Sequence, residues 1–173
     1  TLDQLGRAAA VICALELERQ RDQATDGPKR MGTWPFEIGL WVGKAATPNL
    51  MGRKGDNRAD TARAKVMEFR RHYKEGSTKN ASPIPLENCP WCNTPFGRGS
   101  FNLFPNEDEP TDLRITCVNR DCDFTRERLL PVIAVDESIY RRVPCFLIAT
   151  VDKFASLPWE GRSGTLFGRV DRF

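Results

Sequence analysis

Four cysteines constrain this chain more than any other feature. Cys89-Pro-Trp-Cys92 and Cys117-Val-Asn-Arg-Asp-Cys122 form two close pairs separated by about two dozen residues. Each pair offers two thiolates from one tight turn, and a hairpin between them brings the pairs together, which is the arrangement a tetrahedral zinc ion needs. Four thiolates close the ion to water, so such a zinc is structural and does no chemistry. Disulfide pairing is the alternative, but it goes with secretion, and no segment resembles a secretory signal. A redox Cys-x-x-Cys follows a strand and opens a helix, whereas Pro90 and Asn93-Thr-Pro-Phe96 favour turns.

The rest of the chain has room for one ordinary core. It has 173 residues, of which 40% are hydrophobic and 28% charged, a globular composition. The longest apolar run, Ala8 to Leu15, falls far short of the roughly 20 residues that cross a bilayer. A net charge of +3 does not imply nucleic acid by itself. Its distribution says more: between Arg53 and Lys79 nine basic residues face four acidic ones, a net of +5.

Periodicity divides the chain into three parts: 1–85, 86–128 and 129–173. Leu2 to Arg21 reads as a helix with a buried first half, stopped by Asp26-Gly27-Pro28. Phe36 to Val42 alternates and reads as a strand ending at Gly43-Lys44. Ala59, Ala62, Val66, Phe69 and Tyr73 recur at helical spacing, with Arg63, Lys65, Arg70, Arg71 and Lys74 on the other faces. A polar linker, 76–85, leads into the cysteine-rich part. There only Ser100 to Phe104 and Leu113 to Thr116 look like strands, so an insertion held by metal rather than by a core is expected. Glu137 to Arg142 is helix-like, and the apolar run Cys145 to Ala149 reads as a strand covered on both faces. The order predicts an α/β parallel sheet interrupted by a zinc-ribbon-like module.

The remaining reactive side chains read as structural. Cys13 and Cys145 lie in apolar runs and are expected in the core. His72, the single histidine, sits on the basic helix as a solvated side chain. No serine or cysteine stands in a nucleophile elbow, and Asp108 and Glu109 sit in a Pro-flanked acidic loop with no second catalytic partner. An independent hydrolase is therefore the weakest reading.

Several stretches occur in an order that resembles a known family. They are Thr1-Leu-Asp-Gln-Leu-Gly-Arg-Ala-Ala, Ile38-Gly-Leu-Trp-Val-Gly43, the four-cysteine insertion, Val135-Asp-Glu-Ser-Ile-Tyr-Arg141 and Phe146-Leu-Ile-Ala-Thr-Val-Asp-Lys-Phe-Ala155. Together they resemble the large helicase subunit of the bacterial DISARM anti-phage system, a superfamily-two helicase. The resemblance implies a cytoplasmic protein and a partial RecA-like domain, with residues 1–7 as the tail of a nucleic-acid motif. It also implies that Gly43, Lys44, Thr150 and Lys153 contact the nucleic-acid backbone, for which a glycine turn, a hydroxyl and lysines are suitable partners. Here Thr150 is followed by Val151-Asp152, a departure from the proline and acidic residue of many members.

The motor chemistry is not in this stretch. No G-x-x-x-x-G-K-[ST] sequence occurs, and Asp136-Glu137-Ser-Ile is a poor Asp-Glu box because a convincing apolar strand does not precede it. The resemblance implies that ATP and Mg²⁺ are bound by the longer parent, with the first motif before Thr1 and the second after Phe173, and that a partner subunit assembles with it. The leading expectation is an internal helicase segment supplying DNA-backbone contacts and a structural zinc. The alternative is a free-standing zinc-ribbon module that binds nucleic acid or protein through the Arg53–Lys79 face, chiefly Arg70 and Arg71. Base stacking on Trp91, Phe96, Phe101 or Phe104 would accompany it.

Overall fold

The computed structural model describes residues 2–43, 46–75 and 81–168. Lys44 and Lys79 lie outside the described residues. The described residues form two sheets: a three-stranded parallel one, and a two-stranded antiparallel hairpin that belongs to the cysteine-rich part. The parallel sheet has the order β4-β1-β5, with β1 (Ile38–Trp41) between β4 (Val132–Ile133) and β5 (Phe146–Ala149).

Because β1 is central, its side chains alternate between two covers rather than between core and water. Ile38 and Leu40 join the apolar cluster under helix α1 (Leu2–Ala24), while Trp41 joins Ile133, Ile139 and Tyr140 on the other face. All four residues of β1 are buried. Gly39 permits the close approach of β5: a Cβ there would lie 2.7 Å from both Leu147 Cδ1 and Pro144 Cγ.

Strand β5 corrects the expectation of a strand covered on both faces. It pairs only with β1 among the described residues, and its first residue, Phe146, is 48% exposed. Cys145, expected in the core, is likewise exposed, with its thiol donating to the Glu37 carbonyl at 3.2 Å. A continuous apolar run cannot distinguish a central strand from an edge strand, since that depends on which neighbours arrive.

Helix α1 buries one stripe, Leu5, Ala9, Ile12, Cys13 and Leu17, and leaves Val11 and Leu15 exposed. Helix α2 (Ala62–His72) starts at Thr61, whose hydroxyl accepts from the Ala64 amide, and buries Ala62, Val66 and Phe69. His72 is exposed, as expected. The short helix α3 (Asp136–Arg142) follows β4 and is stitched to the loop after β1. The amides of Asp136 and Glu137 donate to the carbonyls of Pro48 and Asn49, and Glu137 Oε2 accepts from the Met51 amide at 3.0 Å. Helix α4 (Val151–Ser156) and two 3₁₀ turns, Leu157–Trp159 and Gly161–Phe167, close the described chain.

The cysteine-rich part is held by more than its cysteines. Its hairpin, β2 (Phe101–Phe104) and β3 (Asp112–Ile115), buries Phe101, Leu103, Leu113 and Ile115 in the same apolar cluster as α1, α2 and β1. Arg142 reaches from α3 to both Glu37 and Asp112, and Arg141 donates to the Thr111 carbonyl. The expectation of a module without an apolar core is thus replaced by one core shared with the sheet.

Candidate metal centre and the carboxyl edge of the sheet

The four predicted cysteines converge. Cys89, Cys92, Cys117 and Cys122 place their sulfurs within 4.8 Å of one another, and no other group of this kind occurs among the described residues. Cys89 Sγ lies 3.9 Å from Cys122 Sγ, and Cys92 Sγ lies 3.5 Å from Cys117 Sγ. Sulfurs about 2.3 Å from a tetrahedral zinc lie roughly 3.8 Å apart, so this donor set fits that ion.

Each pair sits on a tight turn. In the first, the Asn93 amide donates to the Cys89 carbonyl at 2.9 Å, and Asn93 adopts φ 60°, a left-handed position that asparagine tolerates. In the second, the Cys122 amide donates to the Asn119 carbonyl at 3.1 Å. The amides of Asn119 and Phe124 point at Cys117 Sγ and Cys122 Sγ, at 3.4 and 3.5 Å. Donors aimed at sulfur stabilise thiolates, as ligands require.

The electrostatics divide the set. Burial raises the Cys92 thiol, but hydrogen bonds with Thr94 and the neighbouring cysteines outweigh it and hold Cys92 down to about 6. Burial pushes Cys122 up to about 11 and Cys117 up as well. A divalent cation reverses the upward shifts, because a coordinating thiol is deprotonated outright. Below the cluster Phe124 is fully buried, and Trp91 packs edge-on against it while its indole N–H donates to Asp123 at 2.8 Å. Phe96 and Phe101 are buried, and Arg114 covers the Phe104 ring, so with Trp91 all four aromatics read as stacking platforms make contacts within the fold.

The expected nucleic-acid residues separate into two groups. Gly43 and Thr150 come together at the carboxyl ends of β1 and β5, where the Thr150 amide donates to the Trp41 carbonyl at 3.2 Å. A Cβ on Gly43 would lie 3.6 Å from Asp152 Oδ2. Thr150 Oγ1 is buried and makes no hydrogen bond among the described residues. Lys153 departs from its expected role at the surface. It is 8% exposed, with Nζ 2.5 Å from Asp136 Oδ2 and 3.0 Å from Asn49 Oδ1. A buried carboxylate needs a countercharge, and that need turns the lysine inward. Burial nevertheless pushes the Asp136 carboxyl above its ordinary range, against the pull of Lys153.

On α2, Arg70 and Arg71 diverge. Arg70 pairs with Glu107 and donates to the Phe101 carbonyl at 2.7 Å, holding the β2–β3 hairpin to the helix. Arg63 Nε and Lys54 Nζ also reach this acidic loop, at Glu107 O and Asp108 Oδ2. Arg71 is exposed. Asp108 is exposed in a turn, as expected, and pairs there with Lys54 at 3.0 Å.

The sequence reading did not identify Asp136, Asn49 and Trp41 as a cluster. The one signal for it was an acid ending the apolar run Val132 to Val135. No helix among the described residues is long and apolar enough to cross a membrane.

No family model matches the chain. Over 178 aligned residues it is 34% identical to "DISARM protein DrmA" of Bacillus paralicheniformis, an alignment covering 100% of this chain and 14% of that protein. The chain is therefore a distant relative of one short stretch of a much longer DISARM protein.

Proposed function

We propose that the chain is an internal segment of an ATP-dependent DNA helicase or translocase of anti-phage defence. In this reading it forms part of a RecA-like domain, carries a structural zinc on Cys89, Cys92, Cys117 and Cys122, and touches the DNA backbone at the carboxyl edge of its sheet. The observation that carries the reading is similarity along the whole chain to a DISARM protein. The parallel sheet supports it, since open α/β sheets bind ligands at the carboxyl ends of their strands, where Gly43 and Thr150 meet.

The chemistry of each part follows. Zinc fixes the hairpin whose acidic loop binds Lys54, Arg63 and Arg70. The Thr150 hydroxyl, without a partner among the described residues, and the exposed Arg71 are the candidate phosphate contacts. ATP and Mg²⁺ belong to the longer cytoplasmic protein, which works with a partner subunit. This stretch has no glycine-rich phosphate cradle and contributes no hydrolytic step.

Fluorescence anisotropy of a labelled single-stranded DNA with the zinc-loaded chain tests this reading across a salt series. Backbone contacts release counterions, so affinity falls linearly on a log–log plot as salt rises. Binding that is indifferent to salt, or no binding at low salt, contradicts it.

A further inference from the structure

Nine basic residues lie between Arg53 and Lys79, and three of them converge on one turn. Residues 105–110 join β2 to β3 and read Pro-Asn-Glu-Asp-Glu-Pro. Asp108 Oδ2 lies 3.0 Å from Lys54 Nζ, Glu107 pairs with Arg70, and the Glu107 carbonyl accepts from Arg63 Nε at 2.5 Å. The Lys54 amide also donates to the Asp108 carbonyl at 2.7 Å. Arg63 and Arg70 stand two turns apart on α2 and share one face, while Lys54 comes from the loop before the helix. Asn106 Oδ1 accepts from the amides of Asp108 and Glu109 at 3.0 and 2.9 Å, which shapes the turn without help from the basic face.

Two properties separate this contact from an ordinary tether. The turn is negative at three consecutive positions, as a nucleic-acid backbone is at successive phosphates. Its ion pairs are also open to water: Lys54 and Asp108 are 68% and 60% exposed, and Glu107 is 51% exposed. Pairs exposed to this degree contribute little to stability, so a competing anion displaces them readily, and a polyanion that takes the same cations gains from counterion release. The hairpin does not need these carboxylates to stay folded, because Phe101, Leu103, Leu113 and Ile115 anchor it in the core.

Resting on the DNA-backbone reading above, we infer that the 105–110 turn is an autoinhibitory guard. Glu107 and Asp108 hold Arg70 and Lys54 in place of phosphates, and nucleic acid gains this part of the basic face only by pushing the turn aside. The chain therefore binds DNA more weakly, and through fewer phosphates, than its basic residues allow.

The test measures single-stranded DNA binding across a salt series for three forms of the zinc-loaded chain. They are the wild type, a Glu107→Gln, Asp108→Asn variant, and a Glu18→Gln, Asp26→Asn control that makes the same change in net charge at exposed positions elsewhere. The turn variant should bind roughly threefold or more tighter than the other two at low salt, with a log–log slope steeper by about 1.4, two further contacts at about 0.7 each on a single strand. Adding Lys54→Gln and Arg70→Gln to it should remove that gain, whereas the same two changes in the wild type should alter affinity by less than about twofold. Amide exchange on the wild type needs no substitution: saturating DNA should speed exchange of the Lys54 amide, whose acceptor is in the turn. Equal, salt-sensitive binding by the wild type and the turn variant overturns the guard and leaves the backbone reading standing. An equal gain in the control also overturns it, since net charge alone is then responsible, and so does a Lys54 amide whose exchange DNA leaves unchanged or slows. Failure of both the wild type and the turn variant to bind overturns the backbone reading and this inference together.

Discussion

Glu16 ties the first helix to the segment leading into the central strand, across 20 residues of chain. Its carboxylate is 4% exposed and accepts from Arg19 at 2.6 and 2.8 Å, from Gln20 at 2.9 Å and from the Phe36 amide at 2.9 Å. Burial raises its pKa, but these hydrogen bonds outweigh burial and leave it below the ordinary 4.5. A carboxylate depressed in the folded state contributes stability above its unfolded pKa, and that contribution is lost as pH falls through the folded one. Glu16→Gln should therefore cost about 1–3 kcal/mol at pH 7 and remove part of the acid sensitivity. Urea denaturation at pH 7 and at pH 4 checks this, and an unchanged acid dependence in the variant would contradict it. Lys153→Met should cost more, about 3–5 kcal/mol, because it strands a buried Asp136; a loss within about 1 kcal/mol would mean that the pair carries little. Neither role was legible in the sequence. Helical spacing offers Arg19 and Gln20 to Glu16, but its tie to the Phe36 amide, like those of Lys153 to Asp136 and Asn49, spans 17 residues or more, and no periodicity encodes it.

Among the elements, local pattern decides where helices and hairpins form, whereas neighbours decide the rank of each strand. The spacing of Ala62, Val66 and Phe69 marked α2, although not its Thr61 cap, and the gap between the cysteine pairs marked the β2–β3 hairpin. The ranks of the strands were not marked: the alternating segment became the fully buried centre, and the continuous apolar run became the edge. Gly39 explains how the two strands approach. Gly39→Ala places a Cβ 2.7 Å from Leu147 and Pro144 and should destabilise by about 1–3 kcal/mol through overpacking. Thermal or urea denaturation measures it, and a neutral effect would show that β5 gives way without cost. Helix α2 offers a second contrast. Arg71→Glu should weaken DNA binding and lower the salt slope by about one. Arg70→Glu should chiefly loosen the hairpin, since Arg70 is bound to Glu107 and the Phe101 carbonyl. Equal DNA effects with no loss of stability would reject that division.

In the molecule as a whole, the cysteine module and the sheet depend on each other. The four thiols were plain in the sequence because a metal's demands are local and periodic. That their hairpin shares the core of α1 and β1 was not plain, since composition alone makes it look like a detachable insertion. Sharing a core means that loss of metal should reach beyond the module, lowering the stability of the sheet as well as of the hairpin. The most direct measurement is metal analysis with zinc K-edge absorption on the purified chain, followed by unfolding with and without a strong chelator. The account predicts one zinc per chain with four sulfurs at about 2.3 Å and cooperative destabilisation of the whole chain on chelation. A chain with no bound metal and four freely titrating thiols, or one that keeps its full stability after the metal is removed, would contradict it.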